Sequence, residues 1–200
     1  MKKTIGMILL LAFFCGILSG CGNSKDADVS TLFVDKKGQI VEVSVGDFQK
    51  DNYSAEEFEQ YVKDAVEAYD GEGSVELASV SVEEGTAKLN MEYSDSDTYA
   101  AFTGQELFAG TVVSAVAEGY DFNTEFTMVN EGTAADVASR GDVLGNDEYK
   151  VVILQMAEDV TVDGTIVYVS AGVTVKSEDT ATVKPAEHPG GTVLYYVVYQ

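Results

Sequence analysis

The chain has 200 residues, with 12 Lys+Arg against 34 Asp+Glu, a formal net charge of −22, one histidine, two cysteines and no tryptophan. So acidic a body repels phosphate backbones and anionic headgroups, which argues against nucleic acid as a partner and against electrostatic attachment to a membrane. His188 is the only imidazole and Cys15 and Cys21 the only thiols, so ligands for a transition metal are scarce and only oxygen donors remain for a hard cation.

Lys2 and Lys3 precede an apolar run from Ile5 to Leu18, and Leu18-Ser19-Gly20 then leads into Cys21. A charged n-region, an h-region and a small-residue cleavage site in that order make residues 1–20 a signal peptide. The run is shorter than the roughly 20 residues that span a bilayer, and no positively charged stop-transfer flank follows it. Leu18-Ser19-Gly20-Cys21 resembles the lipobox of bacterial lipoproteins. The resemblance implies that the Cys21 thiol receives a diacylglyceryl group, with palmitate-type chains, and that Cys21 becomes the new N-terminus. Each buried CH₂ contributes about 0.8 kcal/mol, and two chains give the lasting anchor that one cannot. On this reading the protein resides on the extracytoplasmic face of the cell membrane. Its mature form has no cysteine left for a disulfide, a nucleophile, a zinc knuckle or an iron–sulfur cluster. Loss of Lys2 and Lys3 takes Lys+Arg from 12 to 10 against 34 acids, a mature charge of −24.

Residues 21–30 read as a lipidated tether, with the small polar composition Gly-Asn-Ser-Lys-Asp-Ala-Asp-Val-Ser after Cys21; fully extended they reach roughly 30 Å. Residues 31–200 then read as a single α+β domain. Thr31 to Val34 and Ile40 to Val45 form a hairpin around Asp35-Lys36-Lys37-Gly38, with Val41, Val43 and Val45 on one face and Glu42 and Ser44 on the other. Over residues 54–70 Ser54 and Glu57 have capping-box spacing, Tyr53 and Phe58 can staple the entry, and Phe58, Tyr61, Val62, Ala65 and Tyr69 make one apolar helical face ended by Gly71 and Gly73. A second hairpin joins Val75 to Val82 and Thr86 to Tyr93 through Glu83-Glu84-Gly85, with a bulge near Ala78-Ser79 to reconcile two phases of apolar alternation.

From Ser94 the pattern turns helical, with Asp95 or Ser96 as N-cap. Leu107-Phe108 is a short apolar piece, and Thr111 caps a brief helix ending at Gly119. Phe122, Thr124, Phe126 and Met128 alternate as a strand, while residues 130–148 read as a candidate mobile connection with a helical turn around Ala134 to Ser139. Strands follow at Val151 to Leu154, Thr165 to Val169, Val173 to Val175, Thr180 to Val183 and Thr192 to Tyr199, with Asp163-Gly164 as a turn. No internal repeat is visible. The expected fold is therefore α+β: mainly antiparallel sheet, one clear amphipathic helix and one or two short ones.

No chemical constellation stands out. His188 sits in the turn-rich Pro185-Ala186-Glu187-His188-Pro189-Gly190-Gly191, no Gly-x-Ser-x-Gly elbow accompanies it, and no phosphate loop is present. Asp95-Ser96-Asp97 lacks the glycine and distal glutamate of a calcium loop and reads as helix capping. Glu83-Glu84 and Glu178-Asp179 read as turn acids. Sequence therefore assigns no catalytic, cofactor or metal residue, and Cys21 is its one site.

The lipobox, the segment Thr31-Leu32-Phe33-Val34-Asp35-Lys36-Lys37-Gly38, the Ser54 helix and Asp163-Gly164-Thr165-Ile166-Val167-Tyr168-Val169-Ser170 together resemble uncharacterised lipoproteins of clostridial-type Gram-positive bacteria. That group has no assigned activity to carry over, and the resemblance implies residence outside the cytoplasmic membrane. The leading expectation is a non-enzymatic binding or structural envelope module that meets a protein or cell-wall partner. The alternatives are a small-ligand (solute) binding lipoprotein and a carboxylate-dependent cell-wall glycan hydrolase, the latter because 34 acids can pair in space. Oligomeric state is left open.

Overall fold

The computed structural model describes residues 25–50, 54–69, 73–184 and 193–200. In chain order the elements are β1 (Thr31–Val34), β2 (Ile40–Asp47), α1 (Ala55–Ala68), β3 (Val75–Glu83), β4 (Thr86–Tyr93), α2 (Ser96–Thr103), β5 (Leu107–Thr111), α3 (Val112–Glu118), β6 (Phe126–Asn130), β7 (Thr133–Ala138), α4 (Arg140–Leu144), β8 (Lys150–Leu154), β9 (Asp159–Val162), β10 (Ile166–Ser170), β11 (Val173–Val175), β12 (Thr180–Val183) and β13 (Tyr195–Tyr199). They form a seven-stranded sheet, β11-β12-β9-β1-β2-β4-β3, and a six-stranded sheet, β5-β8-β13-β10-β6-β7. The class is α+β with mainly antiparallel pairing; β1 and β9 pair in parallel, Leu32 opposite Val160.

Local chemistry explains the tight turns. Asp35 Oδ1 accepts from the backbone N–H of Lys37 (2.7 Å) and of Gln39 (2.9 Å), closing the β1–β2 hairpin. Glu84 and Gly85 both have positive φ (49° and 78°), as do Glu131 and Gly132 (47° and 70°). Two successive left-handed residues match the twist that two-residue hairpins need, so β3–β4 and β6–β7 close tightly. The β3 register shifts between Leu77 and Ser79, which places the bulge where the change of apolar phase predicts it.

The inner faces of the two sheets meet through Leu32, Val34 and Ile40 on one side and Val152, Leu154 and Val197 on the other, all within one core cluster. A second cluster lies behind the six-stranded sheet, where Val112, Ala115 and Val143 of α3 and α4, with Phe122, cover Phe108, Val151, Ile153, Tyr196 and Val198. The layers are thus sheet, sheet and helices. Being covered on both faces, β8 and β13 carry continuous apolar runs instead of alternation. The C-terminal strand is central, with β8 and β10 on its two sides.

Several expectations require correction. Phe122 is not in a strand: it is a fully buried loop residue at φ 51°, packed on Tyr196 with ring centroids 4.9 Å apart. Only Phe126 onward pairs, so the alternation that Phe122 extends reflects a shared core and not a shared strand. Residues 130–148 are not a bare connection either. They hold β7, hydrogen-bonded to β6, and then α4, whose Ser139–Asp142 capping box sets the helix start after Ala138. The helical turn expected at Ala134 to Ser139 is therefore strand. Leu107-Phe108 opens β5, paired with β8, and β9 escaped the sequence reading because it is short and holds only two valines, separated by Thr161.

The expected tether is largely laid down. Asn90 Nδ2 donates to the Lys25 carbonyl (2.7 Å), Lys88 Nζ reaches Asp26 (3.0 Å) and Asp28 (3.3 Å), and Lys25 Nζ sits 5.5 Å from the Phe33 ring centroid. Residues 25–30 thus run along the outer face of the seven-stranded sheet. The signal peptide, Cys21, the Tyr53 staple, Gly71 and the His188 loop lie outside the described residues.

Candidate functional site

The six-stranded sheet covers only part of the inner face of the seven-stranded sheet. Its β2, β4 and β3 end is roofed by α1 and α2, which reach it through the apolar side chains Phe58, Val62, Val66, Tyr69, Tyr99 and Phe102. α1 starts where Ser54 Oγ accepts from the Glu57 N–H (3.2 Å) and stops at Tyr69, whose N–H returns to the Val66 carbonyl. The stripe that enters the core differs from the expected one at Tyr61. That ring lies 72% exposed at the helix edge, while Val62 is buried.

α2 is set by Asp95, which accepts from the Thr98 N–H at 2.7 Å and is held below the usual carboxylate range mainly by that bond. Its neighbour Ser96 turns inward, where Oγ accepts from the Ala109 N–H (3.1 Å) and ties the helix to β5. Asp95-Ser96-Asp97 is a cap. Among the described residues no group of three or more His, Cys, Asp or Glu is placed to hold a metal ion.

Between α1 and the sheet lies a cleft of about 520 Å³. Its floor is Leu89, Met91 and Tyr93 of β4 with Glu42 of β2; its roof is α1, and Phe102 closes one end. A second depression of about 490 Å³ adjoins it and shares Phe58, Tyr61 and Leu89. The aromatic wall is continuous: Tyr69 meets Phe102 edge-on at 5.5 Å, Phe102 lies 6.0 Å from Tyr93, and Tyr93 meets Tyr99 at 4.9 Å.

Glu42 is the polar feature of this floor, and its place is a correction. The hairpin alternation assigned Glu42 to the face opposite the core. Register places it level with Leu32 and Met91, on the inner face. Both faces of β2 are apolar-lined, Val41 and Val43 outward beneath residues 25–30, and Ile40 inward, so alternation alone could not choose between them. The carboxylate accepts from Ser44 Oγ (3.0 Å) and from the Tyr93 hydroxyl (3.2 Å), and the Tyr99 hydroxyl lies within its electrostatic reach. Burial raises its pKa, opposed by the neighbouring hydroxyl groups, Ser44 foremost. Burial and the neighbouring Glu42 charge in turn push the Tyr93 and Tyr99 hydroxyls far above the usual tyrosine range.

Glu158, just before β9, shares this field. It is 8% exposed and its Oε1 has no hydrogen-bond partner. Burial first, then Glu42 and Asp159, push its pKa up to about 8. Asp159 itself is answered by Lys176 Nζ at 2.5 Å and Thr182 Oγ1 at 2.6 Å. Glu42 and Glu158 therefore lie within electrostatic reach of each other, Glu42 hydrogen-bonded at the cleft and Glu158 enclosed.

This group is the candidate-site feature that sequence reading missed. Its one available signal was Glu42 sharing a phase with Ile40. Comparison with protein-family models, with curated proteins and with solved structures found no match.

Proposed function

We propose that the protein is a lipid-anchored extracytoplasmic binding module, without catalytic role, whose ligand is a small molecule with an apolar body held in the cleft beneath α1. The observation that carries the reading is the cleft itself. About 520 Å³ lies within the range of small-molecule sites, which are apolar with a few convergent polar groups. Here the polar groups are Glu42 and Tyr93. A ligand of this size fits better than a protein partner, and α1, capped at Ser54, serves as the amphipathic cover whose apolar face is shared between core and ligand.

The lipobox resemblance supports the anchor at Cys21. With residues 25–30 held on the outer sheet face, only residues 21–24 would separate lipid from body, roughly 14 Å of extended chain. The module would then work against the membrane surface. A hydrolase acting on wall glycan draws support from the raised pKa of Glu158, but that enclosed side chain is out of reach of a polymeric sugar, and Glu42 alone does not make an acid–nucleophile pair.

Photolabelling tests the site. A neutral alkyl-diazirine probe, photolysed with the full chain in nanodiscs of neutral lipid, is expected to tag Ala55–Ala68 and Thr86–Tyr93 saturably. Ala65→Trp, which fills the cleft, should abolish that tagging; labelling that is scattered or indifferent to this substitution rejects the reading. Growth with an alkyne fatty acid tests the anchor: label is expected on the natural chain and absent from Cys21→Ala, and equal labelling of both refutes lipidation at this residue.

A further inference from the structure

We infer that the cleft beneath α1 selects an organic cation, a ligand with an ammonium head on an apolar tail. The inference rests on the reading of the cleft as a ligand site and adds the chemistry of its occupant.

Three observations converge on it. The first is the wall. Phe58, Tyr61, Tyr69, Tyr93 and Phe102 all line this one space, and the face of an aromatic ring attracts a cation, most strongly where water is excluded. An alkylammonium head is the group for which a many-sided aromatic surround is a better solvent than a purely aliphatic one.

The second is the sign of the charge. Glu42 is the one charged side chain among the described residues that line the cleft, and the adjoining depression adds Asp47 and Glu57. Among the described residues neither lining includes a lysine or arginine. α1 has a single cation, Lys63, and Glu59 four residues earlier binds it at 2.6 Å. An anionic ligand would find no counter-charge here, whereas a cation would find Glu42 and a field of the right sign from the whole chain.

The third is how Glu42 is held. Ser44 and Tyr93 both donate to its carboxylate, so it is oriented without having been neutralised by a protein cation. A half-buried carboxylate gains from a positive partner that offsets its desolvation, and among the described residues no lysine or arginine is paired with Glu42. A ligand ammonium would supply that partner. Rings then surround its methyl or methylene groups while the carboxylate neutralises its charge.

The test uses three probes with the same six-carbon tail: hexyltrimethylammonium, 1-hexanol and hexanesulfonate. Each is titrated by calorimetry into the full chain in neutral-lipid nanodiscs, with empty nanodiscs as blank. The cation is expected to bind about tenfold more tightly than the alcohol, and the sulfonate more weakly than both. Glu42→Gln, checked for an unchanged melting temperature, is expected to remove most of the cation's advantage while leaving hexanol binding in place. Tyr61→Ala, at an exposed position where folding is not at stake, should weaken the cation by about threefold. Equal binding of all three probes, or preference for the sulfonate, overturns the cation assignment and leaves a cleft for apolar tails. Binding of none overturns both this inference and the small-ligand reading.

Discussion

Along β13 every side chain from Tyr195 to Tyr199 is buried, and along β8 Val151 to Leu154 are fully enclosed. Along β2 the inner face instead runs Ile40, Glu42, Ser44, with a cleft beside it. The first region is covered by protein on both faces, and its hydrophobic term is unopposed. The second is covered by two helices that leave space, and its interior includes a carboxylate. Packing is complete along β8 and β13 and leaves a cleft beside β2, so a half-buried carboxylate and unfilled volume coincide at one end of one sheet.

Substitutions can break that contrast. The largest loss should come from the closed region: Ile153→Ala removes a fully buried side chain against α3 and α4 and is expected to cost about 3–4 kcal/mol, against about 1 kcal/mol for Leu89→Ala on the cleft floor. Denaturant midpoints of the two variants measure the difference, and similar losses would mean that the cleft is as tightly packed as the core.

The next effect is electrostatic and depends on pH. Glu158 titrates at about 8 in the fold and near its ordinary 4.5 when unfolded, so the folded state binds the extra proton between those values. Its contribution to stability is fully present below about pH 4.5 and is lost as pH rises to about 8. Glu158→Gln is expected to match the natural chain near pH 4.5 and to exceed it at pH 9 by several kcal/mol. Urea unfolding at both pH values checks the sign; a variant less stable at pH 9 would show that the ionised carboxylate is well accommodated. The smallest of the three effects is Asp95→Ala, which removes the cap of α2 and should cost about 1 kcal/mol, read as a lower melting temperature with the same cooperativity.

The same contrast marks what was legible in the sequence. The closed region announced itself, because Val151 to Leu154 and the Val- and Tyr-rich C-terminal run can bury themselves only as strands covered on both faces. Local chemistry was equally plain: Thr111 and Gly119 bound α3 and Ser54 opens α1, since caps depend on residues a few positions apart. The open end was not legible. Glu42 falls in a strand with two apolar faces, and its direction is fixed by Leu32 and Met91 of neighbouring strands. The parallel pairing of β1 with β9 joins residues more than a hundred positions apart, and no short-range pattern records it. Nothing local marks Glu158, because its burial comes from the tertiary fold.

The account stands on the cleft beneath α1, with Glu42 at its floor, being the place where a ligand binds. Chemical-shift mapping of the isotope-labelled chain during titration with hexyltrimethylammonium tests this most directly. The account predicts saturable shifts confined to Phe58, Val62, Leu89, Met91, Tyr93 and Phe102, with β8 and β13 silent. Shifts clustered on another face, or spread evenly over the chain, would contradict it.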